Sequence, residues 1–394
     1  MRVLMTSWAW ASHYMPLVPL AWALRAAGHE VHVASQPRLT GVINDSGAAA
    51  VPVGPDLDHD EVRGRQLAGL SPSEFPRVPA AGTSMDSWPP QRVRQVFGTF
   101  AAHSEAMLDD LVAYARFWCP DLIVYEPTTY TGPLVAALLG VPAIRCVHGI
   151  DVTYQARQVV PELIREMSVR LGLGEVDILG DATVDPCPPS LQIPADVSRI
   201  PTRYVPYSGP ATLPQWLRQQ PSQPRVCLTW GTSASSIGDV DTSVPARLVQ
   251  ALTELEVDVV LALDEQYARR LGEVPANGRS AGPLALHLVL PGCAAVIHQG
   301  GNGTLLTAAL CGVPQLVLPQ LPGQTFRTER IVAAGVAEAL LPGQFSESAA
   351  MLRLKAILTE TSYRDRARSL RDEMLGMPAP ADTVARLEQM AAAR

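Results

Sequence analysis

A histidine, a glycine-rich turn and the start of a helix follow one another in 294-AAVIHQGGNGTLLTAALCG-312. The apolar run predicts a strand that ends at His298, and the small residues predict a tight turn before a helix that opens at Thr304. The first N–H groups of a helix lack partners within it and carry the positive end of its dipole. They stabilise a nearby anion by about 0.3 to 2 kcal/mol. This stretch therefore predicts a phosphate site, to which His298 and Thr304 can each add a hydrogen-bond donor.

The turn lacks the lysine that completes the phosphate loop of a nucleotide hydrolase. A site that holds a phosphate without transferring it to water needs no lysine, and a leaving diphosphate would suit it. The alternative is a strand-to-helix turn with a packed histidine. A second turn, 229-TWGTSAS-235, offers Gly231, Thr232 and Ser233 after another predicted strand. Ligands collect at the carboxyl ends of strands in doubly wound sheets, so two such turns favour a binding site.

His13, in 7-SWAWASHYMP-16, is the candidate general base. It follows the first predicted strand, at the edge of the sheet where ligands bind. An unperturbed histidine, with a pKa of about 6.5, can accept the proton that a hydroxyl loses when it attacks carbon. Glu126 ends another strand of the same sheet, in 122-LIVYEPTTY-130, and is the candidate partner that orients His13. Two alternatives stay open: a structural histidine at a helix start, and a solvated carboxylate at a strand end.

Short β-rich runs alternate with helical patterns in the first half of the chain, which predicts βαβ units and a parallel sheet. Prolines cluster from 185 to 224, and the same rhythm restarts after them. The strands are predicted at 2–7, 30–35, 122–126, 142–147, 226–230, 257–262, 294–298 and 315–318. A long irregular stretch from 55 to 90 predicts either an acceptor-binding loop or a surface loop. The fold class is therefore α/β, with two doubly wound domains.

The proline cluster sets the predicted domain boundaries. The first domain spans 1–208, a proline-rich linker spans 209–224, and the second domain spans 225–375. Residues 376–394 are predicted to form a terminal helix that packs back on the first domain.

The composition favours a small-molecule partner. The net charge is −7 and no block of lysine and arginine occurs, which argues against nucleic-acid or anionic-membrane binding. No apolar run approaches the roughly 18 residues that span a bilayer, and the first residues do not resemble a secretory signal. The cysteines at 119, 146, 187, 227, 293 and 311 include no Cys-x-x-Cys pair, so we expect thiols in a reducing cytoplasm.

An ordered set of motifs resembles a known family. The SHY at the N-terminus, RYVPYSG, GTS, HQGGNGT, GVPQLVLPQ and Gln324 together resemble the actinobacterial glycosyltransferases that attach nucleotide-activated deoxysugars to polyketide and macrolide natural products. The resemblance covers nearly the whole chain and is strongest from 203 to 330. It implies the GT-B architecture, in which two Rossmann-like domains face each other across a cleft.

The resemblance also implies a donor site in the second domain. The phosphates would lie at His298 and at the turn residues Gly300, Gly301, Asn302, Gly303 and Thr304. Gly231, Thr232 and Ser233 would lie nearby, and Leu286 and His287 would face the base. Gln324 would contact the donor sugar as the glutamine of an Asp–Gln pair. Gly323 stands where the aspartate is usual, which removes an acceptor for sugar hydroxyls and is compatible with a deoxygenated sugar.

The sequence thus predicts an inverting, metal-independent glycosyltransferase that moves a dTDP-deoxysugar to a hydrophobic polyketide-type acceptor, with His13 as base, Glu126 as its partner and no cofactor. The Asp-x-Asp patterns at 58–60 and 239–241 lie away from the turn, so no metal site is predicted. The tryptophans at 8, 10 and 22 are interpreted as core. A nucleotide-sugar epimerase and a catalytically silent binding partner are the alternatives, and an auxiliary activator protein and a homodimer stay open.

Overall fold

The computed structural model describes residues 1–67, 90–219, 221–231, 241–271, 274, 276–280, 282 and 284–393. The strands of the first sheet are β1 (Arg2–Thr6), β2 (Glu30–Ser35), β3 (Ala49–Pro52), β4 (Leu122–Tyr125), β5 (Ala143–Cys146), β6 (Ala182–Asp185) and β7 (Arg199–Pro201). Those of the second are β8 (Arg225–Thr229), β9 (Asp258–Ala262), β10 (Gly278–Ser280), β11 (Ala295–His298), β12 (Gln315–Val317) and β13 (Ala337–Ala339).

Helices cover and connect these strands. In the first half they are α1 (Ala11–Tyr14), α2 (Val18–Ala26), α3 (Thr40–Asp45), α4 (His59–Leu67), α5 (Pro90–Trp118), α6 (Thr131–Leu139), α7 (Val160–Leu163) and α8 (Arg165–Arg170). In the second half they are α9 (Val244–Leu252), α10 (Glu265–Ala268), α11 (Leu286–Val289), α12 (Asn302–Leu310), α13 (Pro322–Ala333), α14 (Glu347–Thr359), α15 (Thr361–Leu375) and α16 (Pro380–Ala392). None of the described helices has an apolar stretch that could cross a membrane.

Both sheets are parallel, and the strand order reverses near the middle of each. The first sheet runs β3-β2-β1-β4-β5-β6-β7 and the second β10-β9-β8-β11-β12-β13. The reversal falls between β1 and β4 in one sheet and between β8 and β11 in the other. Ligands bind beyond the carboxyl ends of the strands at such points. His13 and Glu126 follow the first pair of strands, and Gly231 and the 299–303 turn follow the second.

The local sequence explains why these elements form. Successive residues of β1 pack on opposite faces of the sheet: Leu4 belongs to one apolar cluster, and Val3 and Met5 to the other. Strands buried on both faces read as continuous apolar runs, as β1 does. Gly28 and Gly140 follow α2 and α6 with φ angles of 88° and 69°, a left-handed conformation that ends a helix and strains other residues.

The prediction that residues 55–90 are irregular is partly wrong. Within 55–90, α4 occupies His59–Leu67 and α5 begins at Pro90, while residues 68–89 lie outside the described part of the chain. The start of α4 has a local cause, because one Asp58 side-chain oxygen accepts the backbone N–H groups of Asp60 and Glu61. The first Asp-x-Asp pattern therefore caps a helix. Of the second, residues 239 and 240 lie outside the described residues.

The two domains are in contact. Val384 and Leu387 of α16 pack into the same apolar cluster as Leu20 and Leu24 of α2, so the last helix lies on the first domain. Tyr204, which follows β7, donates its hydroxyl to the Gly303 carbonyl at 3.3 Å. The chain thus passes from the first domain to the second after β7 and returns to the first domain with α16.

Candidate active site

His13 and Glu126 meet at the carboxyl ends of β1 and β4. The His13 Nδ1 atom lies 3.0 Å from Glu126 Oε2. A carboxylate only accepts hydrogen bonds, so Nδ1 carries the proton and Nε2 is the nitrogen left to accept one. The His13 side chain is 23% exposed and Glu126 is 0% exposed. The alternative of a solvated carboxylate at a strand end is therefore wrong.

Several donors hold Glu126 in place. The Thr128 hydroxyl donates to Oε1 at 2.7 Å and its N–H to Oε2 at 3.1 Å, and the Thr129 hydroxyl donates to Oε1. Burial acts to raise the pKa of the Glu126 carboxyl. The charge and hydrogen bond of His13, with a smaller effect of His148, outweigh burial and hold that pKa well below its usual range. The carboxylate thus stays ionised and orients the His13 ring.

His148 is a third member of this cluster that the sequence analysis missed. Its Nε2 atom lies 3.4 Å from Glu126 Oε2, within ion-pair distance but without the angle of a hydrogen bond. Its ring centroid is 4.8 Å from that of His13. Burial lowers the pKa of His148 despite the attraction of Glu126, which favours the neutral ring. The available signal was its position two residues after β5, at the edge of the sheet where Glu126 follows β4.

The nitrogen and oxygen atoms of His13, Glu126 and His148 all lie within 4.8 Å of one another. Two imidazoles and a carboxylate form a donor set that Zn²⁺ accepts. A test of a metal-dependent mechanism should therefore address this cluster and not the Asp-x-Asp patterns.

Aromatic rings surround His13. Trp8 is 1% exposed, contacts the His13 ring edge-on at 5.1 Å and donates its indole N–H to Thr128 at 3.1 Å. Trp10 stacks on Trp8 at 5.2 Å, and its side chain is partly exposed. Phe100 lies 6.0 Å from His13 between ring centroids. Trp8 is thus core, as interpreted from the sequence, whereas Trp10 is only partly buried and the interpretation of Trp22 as core is wrong, because its side chain is 41% exposed.

The helix of the phosphate turn begins at Asn302, two residues before the predicted start at Thr304. Gly301 is the N-terminal cap residue, and with no side chain it makes no capping hydrogen bond. The first N–H groups of α12 are therefore left without a side-chain cap. Gly303 is exposed, and Thr304 lies in the first turn of the helix. This arrangement leaves the donors that an anion needs.

His298 lies under the turn. It is 0% exposed; its Nδ1 accepts the Gly300 N–H at 3.0 Å, and its Nε2 lies 2.8 Å from Gln315 Oε1. Burial lowers its pKa to about 4, so the ring is neutral and donates from Nε2 to Gln315. Both ring nitrogens thus have protein partners, and a direct hydrogen bond to a phosphate would require the loss of one. In this arrangement His298 shapes the turn.

The other predicted donor-site residues lie around the same turn. A Cβ at Gly231, which has a φ of 55°, would lie 2.4 Å from Gln299 Nε2, so the turn after β8 touches the turn after β11. Thr232 and Ser233 lie outside the described residues. Leu286 begins α11, which also contains His287 and packs against α12.

Gln324 is buried in the first turn of α13. Its side-chain oxygen accepts the N–H groups of Gln320 and Leu321 at 2.8 and 3.0 Å. Only its amide N–H groups are left to contact a sugar. Gly323 precedes it on the same helix, and a Cβ there would meet the Arg327 guanidinium.

The base cluster and the phosphate turn face each other across the domain interface. A Cβ at Gly149, next to His148, would lie 2.9 Å from Asn302 Oδ1 in the first turn of α12. Behind this loop, Arg145 donates to Asp151 at 2.6 Å, and both side chains are buried. The loop after β5 therefore links the two halves of the site.

Comparison with known proteins agrees with this layout. The Erythromycin biosynthesis protein CIII-like family matches the chain in two parts, its N-terminal domain over residues 22–231 and its C-terminal domain over residues 246–390. The chain belongs to this family. It is 37% identical to the 10-deoxymethynolide desosaminyltransferase of Streptomyces venezuelae, across 100% of this chain and 97% of that protein.

Two further relatives extend the match. The TDP-daunosamine transferase DnrS of Streptomyces peucetius is 36% identical across 100% of this chain and 97% of its own length. The structure of the glycosyltransferase VinC in complex with dTDP superposes with a TM-score of 0.83 at 33% identity and covers 100% of both chains. This member of the Erythromycin biosynthesis protein CIII-like family is therefore a glycosyltransferase, and the predicted GT-B fold of two Rossmann-like domains is confirmed.

Proposed function

We propose that the protein transfers a deoxysugar from a dTDP-activated donor to a hydrophobic polyketide-type acceptor, with inversion at the anomeric carbon and without a metal ion or cofactor. The observation that carries this proposal is the opposition of two groups across the cleft. A buried carboxylate orients a partly exposed histidine on one side, and an uncapped helix N-terminus lies on the other. Relatives that act on TDP-daunosamine or bind dTDP support the donor.

The transfer step forms one bond, breaks one bond and moves one proton. The acceptor hydroxyl oxygen forms a bond to the anomeric carbon of the sugar, and His13 Nε2 takes the hydroxyl proton. The bond from that carbon to the phosphate oxygen breaks, and its electron pair leaves with the diphosphate. Attack from the side opposite the leaving group inverts the configuration. The backbone N–H groups at the start of α12 stabilise the charge that develops on the leaving group.

The rings beside His13 support an apolar acceptor. Trp10 and Phe100 are both partly exposed, and His59 packs on Trp10 with ring centroids 5.0 Å apart. A flat or bulky hydrophobic aglycone that covers these rings would present a hydroxyl near His13 and would exclude water from it.

The test is turnover by the full-length protein with a panel of dTDP-deoxysugars and polyketide aglycones, with the product anomer assigned by NMR. We expect a glycoside of inverted configuration and full activity in EDTA. Activity lost in EDTA and restored by Zn²⁺ would contradict the metal-free mechanism and point to the cluster of His13, Glu126 and His148. A changed sugar formed from donor alone would favour the epimerase, and no turnover with any acceptor would favour the silent partner.

Replacing His298 with alanine should weaken dTDP binding about tenfold. The Gly300 N–H would lose its buried partner, and the turn that holds the first N–H groups of α12 would loosen. Isothermal calorimetry with dTDP measures the effect. The matched control is His32→Ala, which removes a histidine of the first domain that stacks on Trp118. An unchanged dTDP affinity in the His298 variant would remove His298 from the donor site.

A further inference from the structure

Arg327, on α13, reaches the phosphate turn from the side opposite His298. Its Nε donates to the Gly300 carbonyl at 3.3 Å. Gly300 has a φ of 90°. Its N–H donates to His298, and its C=O accepts from Arg327, so both side chains hold this residue of the turn. One helical turn earlier, a Cβ at Gly323 would lie 3.4 Å from Nη1 and 3.8 Å from Nη2 of Arg327. The guanidinium thus lies between the turn and the position assigned to the donor sugar.

The positive charge of Arg327 has no counterion in the described part of the chain. No carboxylate there lies within ion-pair distance of it, whereas the buried Arg145 is paired with Asp151 and the partly buried Arg199 with Asp185. Burial lowers the pKa of Arg327 to about 10, which leaves it charged at neutral pH. Arg327 is partly exposed, and a partly desolvated cation without a partner still costs some stability. An anionic ligand would remove that cost.

Arg327 lies on the part of α13 that meets the first domain. The preceding residue, Phe326, packs against apolar clusters of both domains. The helix therefore places Arg327 beside the phosphate turn, close to the domain interface.

We propose that Arg327 supplies the positive charge that the glycine turn itself lacks: its guanidinium binds the phosphate that carries the sugar and stabilises the charge which that phosphate gains on leaving. This inference rests on the proposed dTDP-sugar donor. It also explains Gly323, because a carboxylate at that position would pair with Arg327 and cancel the charge. Glycine leaves both Nη groups of the guanidinium to the phosphate, in the forked geometry that suits phosphate oxygens.

The experiment compares Arg327→Gln with wild type by calorimetric titration of dTDP and of thymidine. We expect dTDP affinity to fall about 10- to 100-fold, the effect of losing hydrogen bonds to a charged group. Thymidine affinity should stay the same, because the nucleoside carries no phosphate. The ligand-free variant should melt close to wild type, since the removal of an unpaired cation offsets the loss of the hydrogen bond to the Gly300 carbonyl. The matched control is Arg269→Gln, which removes a 73% exposed arginine from the same domain.

The outcomes separate this role from the proposed function. If wild type binds dTDP and Arg327→Gln binds it within about twofold as tightly, the role of Arg327 is wrong and the donor proposal stands. If wild type binds neither dTDP nor thymidine, the donor proposal fails and this role fails with it. A variant that melts well below wild type, with equal loss of dTDP and thymidine affinity, would show a structural arginine instead.

Gly323→Asp provides a second test that leaves Arg327 in place. The new carboxylate should pair with the guanidinium, so dTDP affinity should fall in the wild-type background and change little in the Arg327→Gln background. The same loss in both backgrounds would contradict the proposal. This double-mutant cycle tests the proposal even if Arg327→Gln folds poorly, because Arg327→Met can then serve as the uncharged background.

Discussion

Replacing His13 with alanine should lower kcat by about 10²- to 10⁴-fold, the usual contribution of a general base. The side chain is partly exposed at the cleft, and its Nδ1 is already bound to Glu126. Its loss therefore removes the proton acceptor but leaves the donor turn untouched. Steady-state turnover with an accepted donor and aglycone measures the effect, and dTDP calorimetry checks that the donor domain is intact.

The control for this variant is His13→Gln, which keeps a polar side chain of similar size and cannot accept the proton at neutral pH. Both variants should lose the same activity. If either turns over within about tenfold of wild type while it binds dTDP normally, another group is the base. The nearest candidate would then be His148, whose ring is 4.8 Å from that of His13.

Replacing Glu126 with glutamine should lower kcat by a comparable factor of about 10²- to 10⁴-fold, because an amide neither fixes the protonated Nδ1 nor stabilises the imidazolium that forms. Glu126→Asp is the control and should recover part of the activity. A glutamine variant whose kcat equals that of wild type would show that Glu126 does not act through His13.

The same variant has a pH-dependent effect on stability. The folded-state pKa of Glu126 lies below its ordinary value of about 4.3, so ionised Glu126 stabilises the fold above that pH. This contribution is lost as pH falls toward the folded-state pKa. The difference in unfolding free energy between wild type and Glu126→Gln should therefore be larger at pH 7 than at pH 3. Urea unfolding at the two pH values measures it, and a gap that widens in acid would contradict the assignment.

The pairing of His13 with Glu126 shows how far sequence reasoning reached into the site. Both residues follow apolar runs that predict strands, and the carboxyl ends of parallel strands meet at one edge of a sheet. The sequence thus predicted their proximity, and in the structure His13 Nδ1 lies 3.0 Å from Glu126 Oε2. The catalytic roles of both remain predictions.

Other residues carried no comparable signal. Neither His148 nor Arg327 was predicted to belong to the site. His298 was predicted as a phosphate donor, because nothing near it in sequence indicates that Gln315, on the neighbouring strand, occupies its Nε2. These contacts join residues that belong to different elements.

The sequence by itself determined the α/β class, most strands and the two turns at strand ends, because these depend on residues two to four positions apart. It also determined which side chains can accept a proton or hold a phosphate. Only the tertiary structure decided their partners. His148 reaches Glu126, and Arg327 reaches Gly300, through the packing of elements that lie far apart along the chain. Whether a histidine or an arginine is paired, buried or free for a ligand depends on that packing, and local sequence does not encode it.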